Sequence, residues 1–159
     1  MTERTVSPVR GAAAGLAAGL VASLAMDQFQ KVWARFVTMP KGGEPATVKA
    51  ADKASRAVTG KPVAKADKAQ AGTIVHYLFG GALGAAYGVA AEYRPGVTRG
   101  FGSAFGLGTA TLFDEVAVPA AGLSKAPTAY PARSHLYGYA SHLVFGAVTE
   151  AVRRSLRAR

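Results

Sequence analysis

Five ionisable side chains stand where the surrounding sequence offers no polar face to receive them. Asp114 and Glu115 arrive together after a charge-free run rich in Gly, Ala, Phe and Leu (100–113) and are followed by Val116, Ala117 and Val118. Asp27 closes an Ala- and Gly-rich run at 11–26, and His76 and His142 lie inside apolar runs of their own. Such groups are costly in apolar helices, so they face a bundle interior or water and take partners there. A His beside a carboxylate exchanges protons near neutral pH. The same set could bind a cation, or a divalent metal, although no ligand motif such as H-E-x-x-H occurs and no metal site is expected. The structural alternative is interhelical glue, in which hydrogen bonds and ion pairs simply hold helices together. The residue types leave these readings open.

The elements that must position these groups are four nearly charge-free runs in a chain of 159 residues. The first, over 10–36, starts with GAAAGLAAGLVASLAM and continues through Phe29, Val32, Trp33 and Phe36 at helical spacing. A cleavable signal peptide ending near Ser23, Leu24 and Ala25 is the alternative for its N-terminal half. The second run (72–93) lacks Asp, Glu, Lys and Arg between Lys68 and Glu92, and a bilayer core needs about 20 such residues. A tight turn then leads to the third run (98–119), and a Pro-punctuated turn to the fourth (134–153). Gly11, Gly15 and Gly19, then Gly80, Gly84 and Gly88, repeat at intervals of four, a small-residue stripe that lets helices approach closely. Gly102 and Gly106 continue the theme in the third run.

Between the first two runs, residues 39–71 form a connector with seven Lys or Arg. Its PATVKAADKASRAV stretch predicts a short helix begun by Pro45 and ended near Gly60. That helix is expected to lie on a membrane surface or in solvent. The mean hydropathy of +0.15 averages this connector with the apolar runs. The net charge of +10 calls for an anionic neighbour, nucleic acid or lipid headgroups. With no Cys, disulfides and thiolate chemistry are excluded.

The pattern predicts an all-α fold: one membrane domain, a four-helix transmembrane bundle. A faint internal repeat supports two duplicated helical hairpins. Gly15, Gly19 and Asp27 share the spacing of Gly102, Gly106 and Asp114, and His76 to Gly80 parallels His142 to Gly146. At about 1.5 Å per residue Asp27 lies about 25 Å from Arg10, with Asp114 and His76 at a similar depth. Glu92 and Glu150 fall at the opposite edge beside Arg94, Arg153 and Arg154, where interfacial ion pairing accounts for them. The compact Arg clusters at the chain's ends favour both termini on the cytoplasmic side.

The runs HYLFGGALGAAYGVAAE, FDEVAVPAAGLSKAPTAYP and SHLYGYASHLVFGAVTEAVRR resemble the YagU-like bacterial inner-membrane proteins, a domain family of unknown function. The resemblance covers about residues 11–154. It implies a multi-pass inner-membrane protein with a loose link to acid tolerance, and carries over no catalytic residue.

No nucleophile elbow, phosphate loop or dinucleotide fingerprint is present, so neither an enzyme nor a cofactor is expected. The readings that remain are a small polytopic membrane protein with a structural or acid-stress role, a proton- or cation-handling protein, and a soluble basic protein binding nucleic acid. The last is the least favoured, because the connector lacks interleaved aromatics and a reader fold. The expected partners are lipid with anionic headgroups near the Lys and Arg clusters, and a second copy of the chain through the Gly stripes.

Overall fold

The computed structural model describes residues 6–38 and 43–158. Arg4, the connector's opening at Met39, Pro40 and Gly42, and Arg159 lie outside the described residues. Every regular element among the described residues is helical. Ser7 caps the first helix by accepting from the Arg10 N–H, and Pro8 sits in the first turn, where its missing N–H costs nothing. The helix, α1 (Pro8–Phe36), passes unbroken through Ser23, Leu24 and Ala25. α2 (Ala46–Thr59) follows Pro45 and stops at Gly60, whose φ of 74° is left-handed. α3 (Lys68–Tyr93) begins earlier than 72 because the Lys- and Gln-bearing residues before the apolar run are good helix formers.

The third run departs most from expectation. Residues Pro95–Thr98 form a 3-10 turn, and Gly100, Phe101 and Gly102 all take positive φ before the helix starts. α4 (Ser103–Thr109) passes into a π-helical stretch, Ala110–Ala117, and then into the single turn α5 (Val118–Ala120). At the end of the π stretch the Val118 N–H bonds to the Phe113 carbonyl, five residues back. α6 (Ala132–Arg157) extends beyond 153 and takes three of the tail arginines into helix.

α1 packs against both α3 and α6, and α4 packs against α6. The glycine stripes set the α1–α3 contact. A Cβ at Gly15 or Gly19 would fall on the carbonyl oxygen of Gly84 or Gly80, so only hydrogen fits between these antiparallel backbones. Gly102 meets the Gly146 carbonyl and Gly106 the His142 carbonyl in the same way. The rings of Phe79 and Phe113 (4.8 Å between centroids) and of Tyr87 and Phe105 (4.3 Å) join α3 to the third run. α1 and α4 therefore run one way, and α3 and α6 the other.

The connector's helix does not lie apart from the bundle. α2 docks on α3, with Val48 set against Gly72, and Val48 and Ala51 are buried. Lys53 Nζ donates to the Ala121 carbonyl at 3.4 Å, and Lys68 Nζ lies 2.7 Å from Glu44 Oε1 across the foot of α3. The helix is thus docked on α3 through two buried residues, with the rest of its surface outward. Its stripe of Val48 and Ala51 is narrow but meets a glycine, which makes a small contact area close-packed.

Candidate functional site

The α1–α3 register brings Asp27 level with His76. His76 Nε2 stands 3.3 Å from Asp27 Oδ1, at an angle outside that of a hydrogen bond, and the Tyr77 hydroxyl donates to Asp27 Oδ2 at 3.0 Å. The α4–α6 pair holds the same combination: Asp114 Oδ2 lies 3.5 Å from His142 Nδ1. His142 Nδ1 is also 3.0 Å from the Gly138 carbonyl. A carbonyl can only accept, so Nδ1 carries a proton. All four side chains line one cavity of about 640 Å³. Ser23, Gly80 and Phe145 wall it from the bundle, and Pro45, Ala46, Thr47 and Val48 from the start of α2. Asp27 and His76 are each about a quarter exposed, so the cavity is reached by solvent.

Glu115 takes a different direction. His135 Nδ1 lies 2.7 Å from Glu115 Oε1, and His135 Nε2 is 3.2 Å from the Pro127 carbonyl. The single cluster expected of Asp27, His76, Asp114, Glu115 and His142 is corrected to two Asp–His pairs on one cavity and a separate Glu115–His135 contact. Consecutive helical residues point about 100° apart, which keeps Asp114 and Glu115 from converging. His135 was not among the expected residues. Its signal is the seven-residue spacing to His142, two turns along one face of α6. Among the described residues, no three His, Asp or Glu side chains converge where a metal ion could sit.

The opposite end of the bundle holds the other acids. Glu150 is fully buried and receives Arg153 through Nε and Nη2 (2.8 and 2.9 Å), Arg154 through Nε, and the Tyr87 hydroxyl at 2.9 Å. Arg154 also lies over the Phe101 ring, 5.0 Å from its centroid. Glu92 is gripped by Arg157 through two bonds of 2.7 Å and accepts from the Ser7 N–H at 3.1 Å. Of the ion pairing expected of Glu92, Glu150, Arg94, Arg153 and Arg154, the structure pairs Glu150 with Arg153 and Arg154 and Glu92 with Arg157, with both carboxylates closed off from solvent. Arg94 is exposed and stands outside this network among the described residues. Arg157 and Tyr87 are the members that sequence spacing did not single out. α6 had to continue past 153 for Arg157 to reach α3.

The architecture defines an all-α bundle with Arg–Glu networks at one end and paired Asp and His at the other. The chain belongs to the family described as protein of unknown function (DUF1440), whose model matches residues 56–151. That match takes in His76, Asp114, His142 and Glu150 and leaves out Asp27. No curated protein and no solved structure matches the chain.

Proposed function

We propose that the chain is an integral membrane protein with four crossings, whose cavity binds protons or cations through Asp27, His76, Asp114 and His142. One observation carries the membrane reading: the packing is inside out by the standard of a water-soluble bundle. The largest fully buried side chains are Glu150, Thr149, Ser23 and Ser141, whereas Leu16, Leu24, Leu78, Leu112, Val116 and Leu136 point outward. Water-soluble cores bury their large apolar residues, while membrane helices meet through small and polar ones and give the large ones to lipid. Two helices, Pro8–Phe36 and Lys68–Tyr93, are long and apolar enough to cross, and their apolar stretches are only 44% and 33% buried. A core helix of a soluble protein would be mostly covered. On this reading α6 and the α4–α5 rod cross as partners of α1 and α3.

The cavity reading rests on the two Asp–His pairs, which meet solvent and can change charge, unlike arginine pairs. An acid-related role would act through them. The narrower likeness to YagU-like proteins, a bacterial inner-membrane location, cytoplasmic termini beside Arg153, Arg154 and Arg157, association of copies and the absence of enzymatic chemistry belong to this proposal, although the Gly stripes expected to join copies are taken up by the α1–α3 contact.

Carbonate-washed membrane fractionation of a C-terminally tagged chain, with protease protection of tag and connector, tests the first part. Retention in the membrane with the tag shielded in intact cells is expected. A protein that washes off overturns it. For the second part, proton uptake by the purified chain between pH 5 and 8 is expected to fall in Asp27→Asn and Asp114→Asn; unchanged uptake in both overturns it.

A further inference from the structure

The lining of the Asp–His cavity is specific enough to indicate a class of ligand. Its side chains include two carboxylates, Asp27 and Asp114, and no Lys or Arg among the described residues, in a chain of formal net charge +10. The rest of the wall is largely apolar and aromatic: Met26, Phe79, Leu83, Phe113 and Phe145. Phe79 and Phe113 stand edge to face at 87°, and both line the cavity. Ser23 also borders the cavity; it is fully buried, and its hydroxyl has no hydrogen-bond partner among the described residues.

Each alternative ligand meets an obstacle in this wall. An anion would face two carboxylates. A small hydrated metal ion finds no converging ligand set among the described residues and gains nothing from an apolar wall. A neutral apolar molecule would cover the two carboxylates without answering their charge. A cation with an apolar body uses every feature: the carboxylates attract its charge, the aromatic rings favour a cation within about 6 Å, and the volume lies within the roughly 300–1,000 Å³ of sites for drug-sized molecules.

We propose that the cavity binds a monovalent organic cation with an apolar body, its charge held by Asp27 and Asp114. This rests on the cation-handling reading above and names its ligand class. Protons compete for the same site. Asp27 is faced by His76 and Tyr77 from α3 and Tyr137 from α6, and Asp114 by His142 from α6 with Glu115 beside it on its own helix.

The test is binding of tetraphenylphosphonium to the purified full chain, by calorimetry, with triphenylphosphine oxide as the neutral counterpart. The expected result is one saturable site per chain, weakened at least tenfold in Asp27→Asn or Asp114→Asn and several-fold in Phe79→Leu, and weaker at pH 5 than at pH 8. Each variant is first checked for an unchanged size-exclusion profile, and Phe79→Leu leaves both Asp–His pairs intact should an Asp variant misfold. Equal binding of triphenylphosphine oxide, or unchanged affinity in all three variants, overturns the proposal. So does displacement of the probe by millimolar sodium or zinc. Failure of the probe to bind while proton uptake still depends on Asp27 overturns only the ligand class. Loss of both overturns the cation-handling reading itself.

Discussion

At one end of the bundle Glu150 is surrounded by Arg153, Arg154 and Tyr87, and Glu92 by Arg157. At the other end Asp27 and Asp114 have histidines for neighbours and a cavity in front of them. Both ends bring two carboxylates into an apolar helix assembly, and the difference lies in the cation chosen. Arginine stays charged and holds a carboxylate in a fixed bidentate geometry, which makes the first end a permanent fastening. Histidine can lose its charge near neutral pH, and its contacts here are long, at 3.3 and 3.5 Å. The second end is therefore the more loosely held of the two. The fully enclosed acids are the structural ones, and the incompletely satisfied ones are the candidates for function.

The largest predicted effect breaks the fastening. Glu150→Ala leaves two guanidinium groups and the Tyr87 hydroxyl with no carboxylate, at a cost of about 3–5 kcal/mol, read as a lowered thermal midpoint of the purified protein. If Asp27→Ala costs as much, the contrast between the ends is wrong. Next comes the wall between them. Gly84→Leu forces a side chain onto the Gly15 backbone and is expected to cost about 1–3 kcal/mol by overpacking. Gly96→Leu, where a Cβ meets nothing, serves as its neutral control. Asp27→Asn is expected to change stability by less than about 1 kcal/mol, read as a nearly unchanged thermal midpoint, whereas Glu150→Gln should lower it. The smallest effect is Lys53→Met, which removes the bond from α2 to the Ala121 carbonyl. It is expected to stay within about 0.5 kcal/mol, showing as faster protease cleavage of the connector with no change in the thermal midpoint.

The parts of this arrangement that could be read from the sequence are those with a period. Gly11, Gly15 and Gly19 and their counterparts Gly80, Gly84 and Gly88 stand out because helix contacts recur every four residues, and the structure sets one stripe on the other. Asp27 and His76 could be placed at one depth by counting residues. What counting could not supply is direction around the axis. Asp114 and Glu115 are neighbours in sequence yet reach His142 and His135 respectively, because consecutive residues point apart around the axis and both lie within the π stretch. Glu150 looked like a rim residue because arginines follow it. Its burial depends on Tyr87 arriving from α3, a long-range fact with no local trace. α2 was legible as a helix, but its docking rests on Val48 meeting Gly72, a single contact too small to register as a pattern.

The π stretch at Ala110–Ala117 sets the angular phase of everything beyond it. Its ladder reaches back five residues where an α-helix reaches back four, so it holds more chain per turn than its neighbours do. Removing one residue upstream of Asp114 would let the rod close as ordinary α-helix while turning the following side chains by about 100°. Glu115 would then stand near where Asp114 now points, with a longer side chain in the cavity. In this segment the number of residues, as much as their identity, decides which acid each histidine meets.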